Sequence, residues 1–168
     1  MGTRISITSG ASAGSKRRAA THYGTREIED KLPTKYVGER GEEILEFTFS
    51  YDDLPAFGQD EAIYRIPANS RIKEATLTVI TAFAGGTSYD IGLEEPDGTD
   101  IDVAGIDDDI LLAAINAVGE TVVCDGALVG NTAGIGTADG QVTMTATGTF
   151  TAGKARLRIV YEPLFDRA

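Results

Sequence analysis

Residues 65 to 83, reading R-I-P-A-N-S-R-I-K-E-A-T-L-T-V-I-T-A-F, constrain the fold more than any other stretch. Pro67 fixes its own φ and biases Ile66 towards an extended conformation, and Ala-Asn-Ser has the chemistry of a turn. A long alternating run follows, so the segment predicts a strand, a turn and a longer strand. From Ala75 onwards the odd positions Ala75, Leu77, Val79, Thr81 and Phe83 share one face, and Thr76, Thr78, Ile80 and Ala82 share the other. The first face is apolar enough to be core. The second, mostly Thr and Ala, suits a sheet surface in contact with water or lightly covered.

The same period-2 pattern recurs along the chain. Leu45, Phe47, Phe49 and Tyr51 alternate with Glu46, Thr48 and Ser50, and Asp52-Asp53-Leu54-Pro55 ends that strand. Gly85-Gly86 predicts a tight hairpin turn into a strand carrying Tyr89, Ile91 and Leu93 inwards. Pro96-Asp97-Gly98 is a further turn signal before a short strand at Ile101 and Val103. Val142, Met144, Ala146 and Phe150 alternate with threonines, and the last strand, 155 to 161, turns Leu157, Ile159 and Tyr161 in and Arg156 and Arg158 out. One segment departs from the pattern. Residues 107 to 118, D-D-D-I-L-L-A-A-I-N-A-V, place three aspartates at a helix N-terminus, an apolar stripe behind them and Gly119 at C′, which predicts a short helix. The chain therefore reads as all-β, an antiparallel β-sandwich of jelly-roll or Ig-like type with one short helix.

Residues 1 to 43 lack both periodicities and read as an extended arm, leaving 44 to 168 as the sandwich. Charge divides the chain similarly. Residues 1 to 26 hold Arg4, Lys16, Arg17, Arg18 and Arg26 and no acid, a charge of +5; the remainder holds 10 basic and 26 acidic residues, a charge of −16. A basic arm on an acidic body points to an arm that meets a negative surface and a body that repels its own kind. The plainer alternative is a solvated tail. An arm rich in Gly, Ser and Ala cannot offset its ordering entropy by its own burial, so a neighbouring subunit is the simplest thing to hold it. Its candidate contacts are Arg4, Ile5, Ile7, Lys16, Arg17, Arg18, Leu32, Tyr36 and Val37.

The residues give little to chemistry. Cys124 is the one cysteine, which excludes an internal disulfide and reads as a small buried apolar residue. No run approaches the roughly 20 apolar residues of a membrane span, and residues 1 to 15 lack the apolar centre of a signal peptide, so a soluble product made in a reducing compartment is expected. The one histidine, His22, lies in the arm, away from any scaffold that would orient it as a base. The glycines from 130 to 140 lack dinucleotide and phosphate-loop spacings. Asp97, Asp100 and Asp102, with the aspartates from 107 to 109, are the candidate cation ligands, as hard oxygens at alternate loop positions, without the EF-hand order. Lys16-Arg17-Arg18 has no interleaved aromatics, and an acidic body repels nucleic acid, so an acidic protein surface is the expected target. No cofactor is implied.

The motifs I-P-A-N-S-R-I-K-E-A-T-L-T-V, G-G-T-S-Y-D-I-G-L, D-G-T-D-I-D with A-I-N-A-V-G-E, and T-A-G-K-A-R-L-R-I-V-Y together resemble the small virion structural proteins of tailed bacteriophages, nearest the capsid decoration, or cement, type. The resemblance runs from Ala62 to Tyr161 and does not cover the arm. It implies a non-enzymatic protein, made in the host cytoplasm, that binds the major capsid protein on the outer surface of the virion and stabilises the shell, often as a homo-oligomer, with a trimer the first expectation. A head fibre base, a head-tail connector or a tail subunit with the same sandwich is the alternative. A carbohydrate- or Ca²⁺-binding module is a further one, weakened by the absence of Trp.

Overall fold

The computed structural model describes residues 34–37, 41–55 and 64–164. Among the described residues nine strands form two antiparallel sheets: β1 (Thr34–Val37), β2 (Glu43–Ser50), β3 (Arg65–Ile66), β4 (Ser70–Gly85), β5 (Ser88–Glu94), β6 (Asp100–Leu111), β7 (Thr121–Cys124), β8 (Gly140–Thr147) and β9 (Phe150–Pro163). The five-stranded sheet has the order β1-β2-β9-β4-β7 and the four-stranded sheet the order β3-β8-β5-β6. The all-β sandwich expected from the alternation is the fold observed.

Residue 157 shows how the alternation builds the core. Leu157 pairs with Phe47 on one side and Leu77 on the other, and the next inward row is Ile159 with Leu45 and Ala75. All six are buried, as are Val79 and Phe83 further along β4. The four-stranded sheet answers with Tyr89, Ile91, Leu93, Val142 and Met144. At one end of the sandwich Phe49, Phe83, Tyr89 and Phe150 pack ring against ring, with Tyr89 stacked on Phe150 at 4.1 Å and Phe83 edge-on to both. Burial holds the Tyr89 phenol far above its usual titration range. Thr81, Tyr51 and Ala146 were expected to point inwards and are exposed. For Thr81 the cause is a register shift in the β4–β9 ladder between Val79 and Thr81, which rephases the strand.

Two connections differ from expectation. The Gly85-Gly86 turn does not close a hairpin. β4 and β5 lie in different sheets, because at this end β4 pairs with β9 through Gly85 and Phe150 and donates its Phe83 N–H to the Ile115 carbonyl. The chain crosses the sandwich instead, with both glycines at positive φ and no room for a Cβ on Gly86 against the Phe150 ring.

The predicted helix over 107 to 118 is absent. Asp107 to Leu111 complete strand β6, and only Leu112–Ala114 form a single 3-10 turn. The apolar spacing that imitated a helix comes from bulges. β6 pairs with β5 as Ile110 to Tyr89, Asp107 to Ile91 and Asp102 to Leu93, with a register shift at each step, so Ile106 and Ile110 face inwards four residues apart. Asp109 takes a φ of 67° in the bulge and donates its N–H to the Asp90 carboxylate at 2.9 Å. The aspartates shape a strand irregularity and cap no helix. Among the described residues no helix is long and apolar enough to cross a membrane.

Candidate interaction surface

Inward residues of the five-stranded sheet are committed to the core, so its outward residues form a broad open face. The ladder fixes their neighbours: Arg158 lies between Glu46 and Thr76, with Val123 beyond, and Arg156 lies between Thr48 and Thr78, with Thr121 beyond. Two textures result. Over β2, β9 and the first residues of β4 the face is charged. Arg158 bonds Glu74 at 2.7 Å, Arg156 stands 3.8 Å from Glu46, Lys73 bridges Glu42 and Glu162, and Arg71 also meets Glu162. Beyond Glu74 on β4, and over β7, it is uncharged, with Thr76, Thr78 and Thr121 beside the exposed Ile80 and Val123.

A hollow of about 250 Å³ interrupts the charged half. Ile44 and Val160, paired across β2 and β9, line it together with Glu42, Lys73, Glu74 and Arg158. It lies where β4 and β9 slip register between Val160 and Tyr161, which separates the outward side chains of Lys73 and Glu74 from the regular row. The hydrogen bond to Glu42 holds the Lys73 ammonium above its usual range, so its charge persists well above neutral pH. Each cation of the hollow has an acidic partner, which suits contact with another surface better than retention of a free anion.

The four-stranded sheet presents a different surface. From Glu74 to Gly153 the chain holds 13 acidic residues and no Lys, Arg or His. β5, β6, β7 and β8 all lie in that interval. Every described cation except Arg65 of β3 therefore sits in or beside the five-stranded sheet, and Arg65 is held by Asp139 at 3.3 Å. This segregation is legible in the order of residues alone, yet the period-2 pattern is needed to see that it divides one sheet from the other.

The sequence-derived candidates distribute unevenly. Arg4, Ile5, Ile7, Lys16, Arg17, Arg18, His22 and Leu32 lie outside the described residues. Tyr36 and Val37, assigned to the arm, fall in β1, which pairs with β2 opposite Ile44 and Glu43. Asp97, Asp100 and Asp102 do not converge. The Asp97 carboxylate accepts the Thr99 N–H at 2.9 Å, which holds it below the usual carboxylate range, and Asp102 accepts the Ala104 N–H at 3.2 Å. Among the described residues no three His, Cys, Asp or Glu side chains gather as metal ligands. The paired arginine–glutamate ladder is what sequence reasoning did not assemble. The outward Arg156 and Arg158 were visible, but their partners Glu46 and Glu74 are distant in sequence and meet only through strand order.

Comparison with known proteins finds similar architecture among chains of bacteriophage capsid structures. The acidic stable capsid structure of Helicobacter pylori bacteriophage KHP30 contains a chain with a TM-score of 0.49 and 15% identity, over 77% of this chain and 92% of that one. A chain of the cyanophage Pam1 capsid asymmetric unit gives 0.46 and 10% identity over 82% and 95%, and one of the Ralstonia phage GP4 capsid gives 0.42 and 13% over 83% and 94%. No protein-family model matches the chain, and no curated protein does.

Proposed function

We propose that this protein is a non-enzymatic structural component of a bacteriophage virion, a decoration or cement protein bound to the outer surface of the capsid. The observation that carries the reading is charge segregation: no acid in residues 1 to 26, and no cation from 74 to 153. A cationic segment attaches to an acidic protein surface, the major capsid protein or a neighbouring copy, while the acidic sheet faces solvent and discourages self-association at random. The motif resemblance supplies the virion setting. The outer face of the five-stranded sheet is the body's contact surface, because it combines its cations with a flat Thr-rich strip. Attachment as a homo-oligomer, with a trimer the first candidate, completes the reading. A connector, tail or fibre-base protein remains the second reading, distinguished by copy number: hundreds per virion for decoration, about a dozen or fewer for the others.

The test mixes undecorated capsids with the full chain, with a chain lacking residues 1–33, and with Lys16, Arg17 and Arg18 exchanged for Ala. The truncation keeps every described strand, β1 included, so it is expected to fold. Occupancy should fall sharply for the truncated chain. For the triple variant, the deficit against the parent should widen at low salt, where screening is least. Full occupancy by the truncated chain would assign the attachment to the sandwich and leave the arm as a solvated tail.

A further inference from the structure

The two sheets meet at their β6 and β7 edges, and a buried carboxylate sits in that seam. After β7 the chain turns across the gap: Gly126 donates its N–H to the Ile106 carbonyl at 2.9 Å, and Leu128 donates to Gly105 at 2.8 Å. The approach is close enough that a Cβ on Gly126 would stand 2.5 Å from the Gly105 carbonyl oxygen. Asp107, the next residue of β6, is only 5% exposed, and Cys124, the last of β7, only 2%. The Cys124 thiol and the Asp125 backbone N–H are directed at the Asp107 carboxylate, so one side chain of the four-stranded sheet is held by the terminus of the five-stranded one.

Among the described residues no cation balances this group. The interval from 74 to 153 contains none, and Arg65, Arg71, Lys73, Arg156 and Arg158 bind Asp139, Glu162, Glu42, Glu46 and Glu74. The charged groups facing Asp107 are Asp108 on its own strand and Asp125 beyond β7, both of its own sign. β5 places Ile91 opposite Asp107, and β4 places Ala75 beside Cys124; neither titrates. The nearby β5 acid, Asp90, is bonded to the Asp109 N–H.

We propose that Asp107, with Cys124 and Asp125, forms an acid-tightened latch: the seam between the sheets opens more readily when Asp107 is ionised and closes more firmly when it is protonated. An ionised carboxylate in a buried seam among like charges is the costly state: desolvation is the main cause that raises its titration above the ordinary aspartate range, Asp125 and Asp108 add to it, and the Cys124 thiol and the Asp125 N–H offset it only in part. A raised folded-state value means that the folded protein holds the proton to higher pH than the unfolded chain. Stability from this group is therefore fully present below the unfolded value and lost as pH rises through the folded one. Acidification from neutrality strengthens the seam.

Cys124 reports the opening directly, because it is the one thiol in the chain and is buried. The experiment labels it with a dithiodipyridine disulfide and divides each rate by that of the urea-unfolded chain at the same pH, which removes the reagent's own pH dependence. In the parent chain the normalised rate should fall on acidification from about pH 7 to about pH 4.5, by at most about tenfold per pH unit, the limit for one proton. Asp107→Asn, which keeps an acceptor for the thiol and the Asp125 N–H, should label slowly at neutral pH and respond little to acid. Amide exchange at Gly126 and Leu128, corrected for intrinsic rates, should move in parallel. If Asp107→Asn fails to fold, Asp125→Asn serves: removing one repelling charge should displace the parent's response to lower pH. A normalised rate that is flat or rises with acid, or the parent's pH response persisting in Asp107→Asn, overturns the latch.

Discussion

The two sheets bury apolar residues against the same core but finish their outer surfaces by different means. In the five-stranded sheet the ladder is regular through residues 44 to 49 of β2 and 155 to 160 of β9, and side chains alone make the outer face. In the four-stranded sheet the backbone itself folds over the outer face: the β6 bulge lays the carbonyls of Asp102 and Val103 against Gly92, where no Cβ fits. One sheet thus tolerates changes outside and depends on volume inside. The other is constrained on both faces, outside by backbone contact.

The largest expected effects test what the sheets share. Leu77→Ala and Ile91→Ala, one from each sheet and each almost fully buried, should each cost about 2 to 4 kcal/mol in denaturant unfolding. Thr78→Ala, between them in sequence but outward on β4, should cost about 0.5 kcal/mol or less. Equal losses for Leu77→Ala and Thr78→Ala would break the register on which the whole comparison stands.

An intermediate effect separates the sheets. Gly92→Ala puts a methyl group into the Val103 carbonyl, and β6 must shift to admit it, so a loss of about 1 to 3 kcal/mol is expected by equilibrium unfolding. Gly92 has no positive φ, so backbone conformation adds nothing and the effect isolates the overlap. A neutral Gly92→Ala would show that the bulge yields freely and that the outer face of this sheet is no more constrained than that of its partner.

This contrast also explains how much of the fold could be read in advance. In β4 and β9 the ladder runs without a bulge from Ala155 to Val160, so side-chain period and strand period coincide and Leu77, Val79, Leu157 and Ile159 announce themselves. In β6 the register slips between Asp102 and Asp107 and again before Ile110, and each slip breaks the period of two. Three adjacent aspartates then satisfied every local rule for a helix start, while the deciding facts were distant in sequence: Asp90 accepting the Asp109 N–H, and Cys124 beside Asp107. The interaction face was legible only in part for the same reason. Arg156 and Arg158 point outwards by simple alternation, but Glu46 and Glu74 reach them through a strand order that local pattern does not determine.

The smallest effects concern charge, and they sharpen the comparison through sign. Arg158 and Glu74 are exposed enough for solvent to screen their 2.7 Å contact, so a double-mutant cycle with Arg158→Ala and Glu74→Ala should give a coupling of about 0.2 to 1 kcal/mol that shrinks as salt is added. On the other sheet, Asp108→Asn removes an exposed acid that makes no ion pair among the described residues, and it relieves repulsion on Asp107. It should leave stability unchanged or raise it, with the gain largest at low salt. Adding salt therefore weakens the favourable pair on one sheet and mutes the unfavourable crowd on the other. A destabilising Asp108→Asn, or an Arg158–Glu74 coupling indifferent to salt, would show that the charges follow local packing and that their division between the sheets carries no electrostatic consequence.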